Sequence, residues 1–440
     1  MGAGDDFRAG LQALQQGDPH AALAAFDAVL EQDPGSVDAT YLGAIALVQQ
    51  GRRETGTERL RAAIALAPER AALHYNLGKI LQDGGEGPAA EASYTRALAL
   101  NPALAEASAN LALLLKERGE TAEASALFQR SFLLRRRERP PESPTHTTRM
   151  RLRHDLEQLD HLASRDLTIP DHTSHRAKLA SVLAELQTGT DRDQQALSAS
   201  AAAALTGTYG RALHLEPGAP LDSPVLGPGV HRADVEARYR AATPNLCVID
   251  DFLSPEGLEA LRRHCLESTF WHDSRYRGGY LGAYWEQGFG SPLLVQLAAE
   301  LRAALPGLLA DHPLQQLWAY KYDSEGGGIG VHADSAAVNV NLWLTPDTAN
   351  LEPESGGLVV HHVKAPRDWD HAAYNSWDSE ERIEALLVGA DSTRVPHRQN
   401  RAVIFDSDLF HRTDHYRFAP GYLQRRLNVT LLFGWRDGRR

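Results

Sequence analysis

Cysteine is almost absent: Cys247 and Cys265 are the only two among 440 residues. Two thiols so placed make no disulfide framework and match no zinc-ligand spacing, which excludes a stapled secreted fold and a thiolate zinc site. Basic excess is lacking too. Lys and Arg number 45 against 57 Asp and Glu, a formal net charge of −12. That argues against a broad phosphate-backbone surface while leaving room for a local basic pocket. No run approaches the roughly 18 apolar residues of a membrane span. The opening MGAGDDFRAGLQ has no basic stretch followed by an apolar one, so no secretory leader is read. Asp6 stands where N-myristoylation wants Ser or Thr. The expectation is a cytoplasmic protein with no nucleic-acid and no membrane partner.

What is present is a globular composition, 43% hydrophobic and 23% charged, in a chain long enough for two or three domains. Its first third repeats. Pro34, Pro68 and Pro102 are spaced by 34, as are Gly17, Gly51, Gly85 and Gly119. Between them, apolar and small residues follow helical spacing: Ala22, Phe26 and Val29; Leu60 and Ala63; Ala90, Tyr94 and Ala97; Ala124, Phe128 and Ser131. Each unit reads as two helices, with glycine in the turn where positive φ is cheap and proline past the second helix where it blocks continuation. The pattern resembles the tetratricopeptide repeat, with four units from about residue 3 to about residue 138. The bulky aromatic of the first helix is missing in the first repeat, and Gly56 replaces the usual alanine in the second. The resemblance implies an α-solenoid with a concave surface for a peptide or protein partner. The plain alternative is a solenoid that only stabilises or dimerises the chain.

Residues 139–148 (RPPESPTHTT) break the periodicity. Helical patterns resume over roughly 149–165, 174–188 and 192–206, and the Pro- and Gly-rich stretch 216–229 reads as a second linker. His154, His161, His172 and His175 fall here with no carboxylate in a ligand-like pattern, and read as surface or packing histidines.

From about residue 244 the pattern changes to short strands. Leu246–Asp250 is followed by Ser254-Pro255, a helix start with the serine as N-cap, the helix running to about His264. A second helix is predicted over 292–309. Strands are predicted at Gln316–Tyr322, Ala337–Leu344, Gly357–Val363, Ala402–Asp406 and Arg426–Phe433. Such a series suggests a jelly roll or barrel-like double sheet. The division expected is 1–138 repeats, 139–241 helical connector and 242–440 the strand-rich domain.

Of nineteen histidines, only His332 begins a His-x-Asp triplet, His332-Ala333-Asp334. In extended backbone, residues i and i+2 face the same way, so imidazole and carboxylate project together. The candidate third ligand is His411, delivered by a short turn after the apolar strand Ala402–Asp406. His415, His397, His361 and His362 are the alternatives. Two histidines and one carboxylate on one face leave adjacent positions open on an octahedral metal, which suits iron(II). Fifteen residues beyond His411 lies Arg426-Leu427-Asn428-Val429-Thr430. Alternation places Arg426, Asn428 and Thr430 on one face, and a guanidinium inside an apolar sheet needs an anionic partner. A register slip by one would put Arg425 inside instead. Asn339 and Asn341 are further polar residues in an apolar strand, and Asn341 is the one singled out to hydrogen-bond a ligand.

The order His332-x-Asp334, His411, Arg426 resembles the 2-oxoglutarate- and iron(II)-dependent oxygenase superfamily over about residues 244–435, with Asn428 where serine is frequent. Tyr322, on the strand before the first ligand, stands where the prolyl-hydroxylase-like branch carries a cosubstrate-contacting tyrosine. Gly356-Gly357 resembles that branch's paired glycines. The resemblance implies a double-stranded β-helix with Fe(II) on His332, Asp334 and His411. It implies 2-oxoglutarate gripped by Arg426, Tyr322 and Asn428, to which the strand pattern adds Asn341, with O₂ as co-substrate and ascorbate as a candidate auxiliary reductant. The implied outcome is hydroxylation of an unactivated C–H bond.

The stretch Tyr276–Gly290, with Tyr276, Tyr280, Tyr284 and Trp285, and the insert Trp369–Trp377 are candidates for a lid or substrate wall; ordinary packing is the alternative. The attached repeats favour a peptide or protein side chain as substrate. Aspartyl/asparaginyl β-hydroxylases and collagen prolyl hydroxylases also join such repeats to such a domain. Asp334 departs from the first and Arg426 from the second, so the target residue stays open. A small-molecule oxygenase, or an inert module in which only the repeats work, are the other two readings.

Overall fold

The computed structural model describes residues 2–138, 143–167, 169–188, 191–230, 232–274 and 279–436. Its contacts divide the chain into two compact units, Met1–Leu114 and Leu115–Arg440.

The first unit is a run of helical hairpins: α1 (Ala3–Gln15) with α2 (Pro19–Gln32), α3 (Val37–Gln49) with α4 (Arg53–Leu66), and α5 (Ala71–Asp83) with α6 (Gly87–Leu100). Gly17, Gly51 and Gly85 turn each hairpin at φ of 74°, 82° and 79°. There an L side chain would be strained. The residues singled out by their helical spacing are buried, among them Ala22, Phe26, Leu60 and Tyr94. Helices approach closely where one of them carries glycine: a Cβ on Gly78 would lie 2.7 Å from the Tyr94 ring.

The second unit begins in α7 (Ala105–Glu117) and continues through α8 (Thr121–Leu133), the second helix of the fourth repeat. Phe128 of α8 meets Trp285 edge-to-face at 5.7 Å, so this helix belongs to the packing of the strand-rich region. Three connector helices follow, α9 (Arg149–Ser164), α10 (His172–Glu185) and α11 (Ala199–Leu205), around a core of Leu152, Leu159, Leu162, Val182 and Leu205. The helix expected over 192–206 is shorter: Gln195–Ala196 pairs as a strand with His146–Thr147, and Ser198 caps the helix start through Ala201 N–H. His154 is a packing residue, buried between Trp271 and Tyr422. Residues 139–142 of the first expected linker lie outside the described residues. The second, 216–229, is irregular but packed: Val225 is buried and its N–H donates to Glu300.

Next come α12 (Arg232–Ala241), β1 (Leu246–Ile249), α13 (Pro255–Glu267), β2 (Tyr280–Tyr284), α14 (Pro292–Ala304), α15 (Pro306–Leu309), β3 (Leu314–Tyr322), β4 (Val338–Trp343) and β5 (Leu358–Lys364). The chain then forms α16 (His371–Tyr374), α17 (Glu380–Leu387), β6 (Ser392–Val395), β7 (Ala402–Asp406), β8 (Leu409–Thr413) and β9 (Leu427–Phe433). Ser254 caps α13 as its sequence predicts, its hydroxyl accepting from Gly257 N–H. The single helix expected over 292–309 is interrupted at Leu305, because Pro306 cannot donate to the ladder. Two larger antiparallel sheets result, one of six strands in the order β1-β7-β4-β9-β3-β2 and one of three in the order β8-β5-β6, beside a two-stranded ladder of Glu325–Gly326 with Tyr416–Arg417. They share a core in which Trp343, Val403 and Phe405 of the larger sheet meet Val360, Val395 and Leu409 of the smaller. Among the described residues, no helix is long and apolar enough to cross a membrane.

Candidate metal centre

β7 of the larger sheet and β8 of the smaller are joined by the turn Ser407-Asp408, and a register shift between Leu409 and His411 in the β8–β5 ladder re-aims the β8 side chains. His411 therefore sits inside a strand, not on a turn following one. Its backbone exchanges two hydrogen bonds with His332: His411 N–H to His332 O at 2.8 Å, and His332 N–H to His411 O at 3.0 Å. Two residues on, Asp334 N–H donates to Ser407 O in the β7–β8 turn at 3.0 Å. These bonds hold the His-x-Asp triplet against β8 and that turn although the triplet is not part of a regular strand.

The side chains converge. Ligand atoms of His332, Asp334 and His411 all lie within 4.8 Å of one another. His411 Nε2 is 3.4 Å from Asp334 Oδ2, and His332 Nε2 is 3.9 Å from Oδ1. Each imidazole donates Nδ1–H to a backbone carbonyl, His332 to Gly330 and His411 to Leu409, both at 2.9 Å. With Nδ1 protonated, both Nε2 lone pairs face the carboxylate. Three acceptors facing one another in a buried site could hold a cation between them. Asn339 steadies the carboxylate, its Nδ2–H donating to Asp334 Oδ2 at 2.9 Å. Burial, and then the neighbouring His411, push His332 down to about 4. Burial would raise Asp334, but hydrogen bonding from His411, the charge of either imidazole when it is protonated and the Asn339 amide outweigh it, and the carboxyl lies below its usual range. The donor set, two neutral imidazoles and one carboxylate, fits a divalent metal of the iron class.

The alternatives for the third position are elsewhere. His415 is exposed and pairs with Glu352 and Asp414; His362 bonds Thr393; His397 packs against Trp343 and Phe418. His361 lines an adjoining groove, not the metal cavity.

The triad opens into a cavity of about 620 Å³. Its floor is the middle of the larger sheet: Asn339 and Asn341 from β4, Asn428 and Thr430 from β9, and Tyr320 and Tyr322 from β3. Strand alternation sends Lys321 to the other face, where it is buried and bonds Tyr422 Oη at 2.8 Å. Arg426 stands just before β9, its carbonyl accepting Tyr322 N–H, and only 1% of it is exposed. Its guanidinium lies 4.4 Å over the Tyr322 ring. Nε–H donates to Gly356 O at 2.6 Å, Nη2–H to Gly357 O at 3.1 Å and Nη1–H to Asn428 Oδ1 at 3.2 Å. A Cβ on Gly357 would come 1.9 Å from Val395 O, so the carbonyl cradle depends on glycine. Among the described residues, no carboxylate pairs with Arg426. Arg425, the other candidate, points away and pairs with Glu157 at 2.9 Å and Asp323 at 3.2 Å. Asn341 donates to Thr430 Oγ1 at 3.0 Å, and its own Oδ1 has no partner.

Of the aromatic stretch, Tyr280 and Tyr284 line the cavity, Trp285 packs on Phe128, and Tyr276 lies outside the described residues. The insert between β5 and β6 contributes His371, Asn375, Ser376, Asp378 and Glu380 to the cavity mouth, while Trp369 packs on Phe410. The side chain of Trp377 is outside the described part. Sequence reasoning missed Thr413, whose hydroxyl lies 3.4 Å from Tyr322 Oη. Its position two residues after His411 on an extended strand was the available signal.

Comparison with known proteins bears on the other end of the chain. Residues 13–80 and 75–136 match the tetratricopeptide repeat. No curated protein matches the chain. Among solved structures, a MamA protein is 20% identical over 41% of this chain and 86% of its own, with a TM-score of 0.28. PilF of Pseudomonas aeruginosa is 25% identical over 30% of this chain and 60% of its own, TM-score 0.29. A mutant O-GlcNAc transferase of Thermobaculum terrenum is 25% identical over 32% of this chain and 28% of its own, TM-score 0.30. The N-terminal region is thus built of tetratricopeptide repeats, the architecture of a protein-binding scaffold.

Proposed function

We propose that the second unit is a 2-oxoglutarate- and iron(II)-dependent oxygenase, that its two sheets are a double-stranded β-helix, and that it hydroxylates a side chain of a peptide or protein recruited with the help of the repeats. One observation carries the reading. A cluster of acceptors that could hold a cation and a buried guanidinium without a carboxylate share one cavity. A metal and a dicarboxylate together complete both.

His332, Asp334 and His411 would hold the iron, which when bound supplies the chemistry that splits 2-oxoglutarate with O₂ and oxidises a C–H bond. The chain's own residues do the rest. The Gly330 and Leu409 carbonyls fix both imidazoles with Nε2 toward the metal position, and Asn339 holds the carboxylate. Arg426 has five N–H groups and uses three on Gly356, Gly357 and Asn428, which leaves two for the far carboxylate of the cosubstrate. Tyr322 covers the guanidinium face and keeps water from it. The tyrosine wall and the insert surround the space where a substrate C–H bond would be oriented. Two buried free thiols, Cys247 and Cys265, suit a reducing cytoplasm.

Anaerobic addition of Fe(II) and 2-oxoglutarate should give a weak visible charge-transfer band in the wild type and none in His332→Ala. A wild type without the band would overturn the reading in favour of an inert module.

A further inference from the structure

The cavity changes electrostatic character along its length. Arg426 is the only lysine or arginine among its described lining residues, and it lies at the floor. Among the buried side-chain atoms of the described lining, the two without a hydrogen-bond partner are both acceptors. Asn341 is 7% exposed and Asn339 fully buried, and the Oδ1 of each has no hydrogen-bond partner. At the mouth, the carboxylates of Asp378 and Glu380 have neither an ion pair nor a hydrogen bond among the described residues. The two buried amide oxygens call for donors, and Asp378, exposed, and Glu380, half-buried, add negative charge at the mouth.

The space does not end at the mouth. A second groove of about 540 Å³ shares Ile329, Gly330, Val331, Glu380 and Thr413 with the metal cavity, so the two meet around Glu380. Along this groove α17 presents Glu384, followed by Leu387 and Val388, the last 84% exposed. Arg412 of β8 is its one arginine or lysine among the described lining. A cavity at the metal position that continues into a second groove fits a side chain attached to a continuing backbone. A free metabolite would leave the second groove empty.

We propose that the primary substrate is an extended cationic polypeptide segment: the target side chain enters beside the metal position, a neighbouring Lys or Arg is held by Asp378 and Glu380, and the chain runs on past Glu384 over Leu387 and Val388. This rests on the oxygenase reading and narrows its substrate class. The three carboxylates carry the specificity, through charge complementarity that also raises encounter rates.

The test uses the full chain with Mn(II) in place of iron and saturating 2-oxoglutarate. Binding of 2-oxoglutarate is measured first by calorimetry, then binding of fluorescein-labelled decapeptides of Arg-Gly and of Glu-Gly repeats and of an Arg-Gly dipeptide. The cationic decapeptide should bind at least tenfold tighter than the anionic one and at least fivefold tighter than the dipeptide. Asp378→Asn/Glu380→Gln/Glu384→Gln should remove most of that preference, and Glu380→Lys/Glu384→Lys should turn it toward the anionic peptide, a gain that misfolding cannot produce. Asp222→Asn/Glu259→Gln, a charge change of two on exposed residues outside the groove, should keep it. Equal binding of both decapeptides, equal binding of the dipeptide, or loss of the preference in the outside variant would each overturn the proposal while 2-oxoglutarate binding leaves the oxygenase reading standing. Failure to bind 2-oxoglutarate would overturn both.

Discussion

Replacing Arg426 by leucine tests the link between burial and ligand charge. The guanidinium is 1% exposed and has two N–H groups left after its bonds to Gly356, Gly357 and Asn428. A hydrogen bond to a charged group contributes roughly 1.5–3 kcal/mol, so two to one carboxylate contribute roughly 3–6 kcal/mol. Even the lower end corresponds to about a hundredfold in affinity. Calorimetric titration of 2-oxoglutarate into the Mn(II)-loaded variant should show at least that loss, with Mn(II) affinity changed less than threefold, because the triad is untouched. The substitution also strips two glycine carbonyls of their donors, so folding must be monitored by circular dichroism. Arg426→Lys keeps the charge without the planar fork and should fall between wild type and leucine. Arg425→Gln, which breaks an ion pair with Glu157 and Asp323 away from the cavity, should leave 2-oxoglutarate affinity within twofold. A folded Arg426→Leu protein that binds 2-oxoglutarate within threefold of wild type would refute the reasoning.

Asn339→Ala removes the amide that holds Asp334, and Mn(II) affinity should fall roughly 10- to 100-fold, measured by competition with a chromogenic chelator. Burial, and then the charges of Arg426 and Arg401, push His397 down to about 3 from an ordinary value of 6.5. The unfolded chain therefore takes up this proton first, and the associated stability is complete above pH 6.5 and is lost as pH falls toward 3. Between pH 6.5 and 5 the loss is about 2 kcal/mol, so the urea midpoint of His397→Gln should fall less over that interval than that of wild type. Gly78→Val drives a side chain into the Tyr94 ring, 2.7 Å from where its Cβ would sit, and should cost roughly 1–3 kcal/mol, seen as a lower thermal midpoint with 2-oxoglutarate binding intact.

The repeats were legible because their signal is redundant. A turn glycine, a terminating proline and small contact residues each recur every 34 residues, so Gly56 or a missing aromatic does not hide the period. The strands Ala402–Asp406 and Arg426–Phe433 were legible because their buried runs are apolar and short. β2 and β8 were not: Tyr280–Tyr284 contains glycine, and Leu409–Thr413 carries His411 and Arg412, which interrupt the apolar pattern. The choice between Arg425 and Arg426 turned on a one-residue register that a single sequence leaves open, and the Tyr322 N–H bond to the Arg426 carbonyl fixes it. The acidic mouth was invisible for a different reason. Asp378 and Glu380 look like ordinary solvated charges, and only the fold of the insert turns them toward the metal cavity.

The paired backbone bonds between His332 and His411 join positions 79 residues apart along the chain. The three side chains are therefore brought together only when the β7–β8 segment docks beside the triplet. On the proposed reading, iron affinity becomes a gauge of completed folding. Damage in that segment, even far from a ligand atom, would then register first as a protein that no longer keeps its metal.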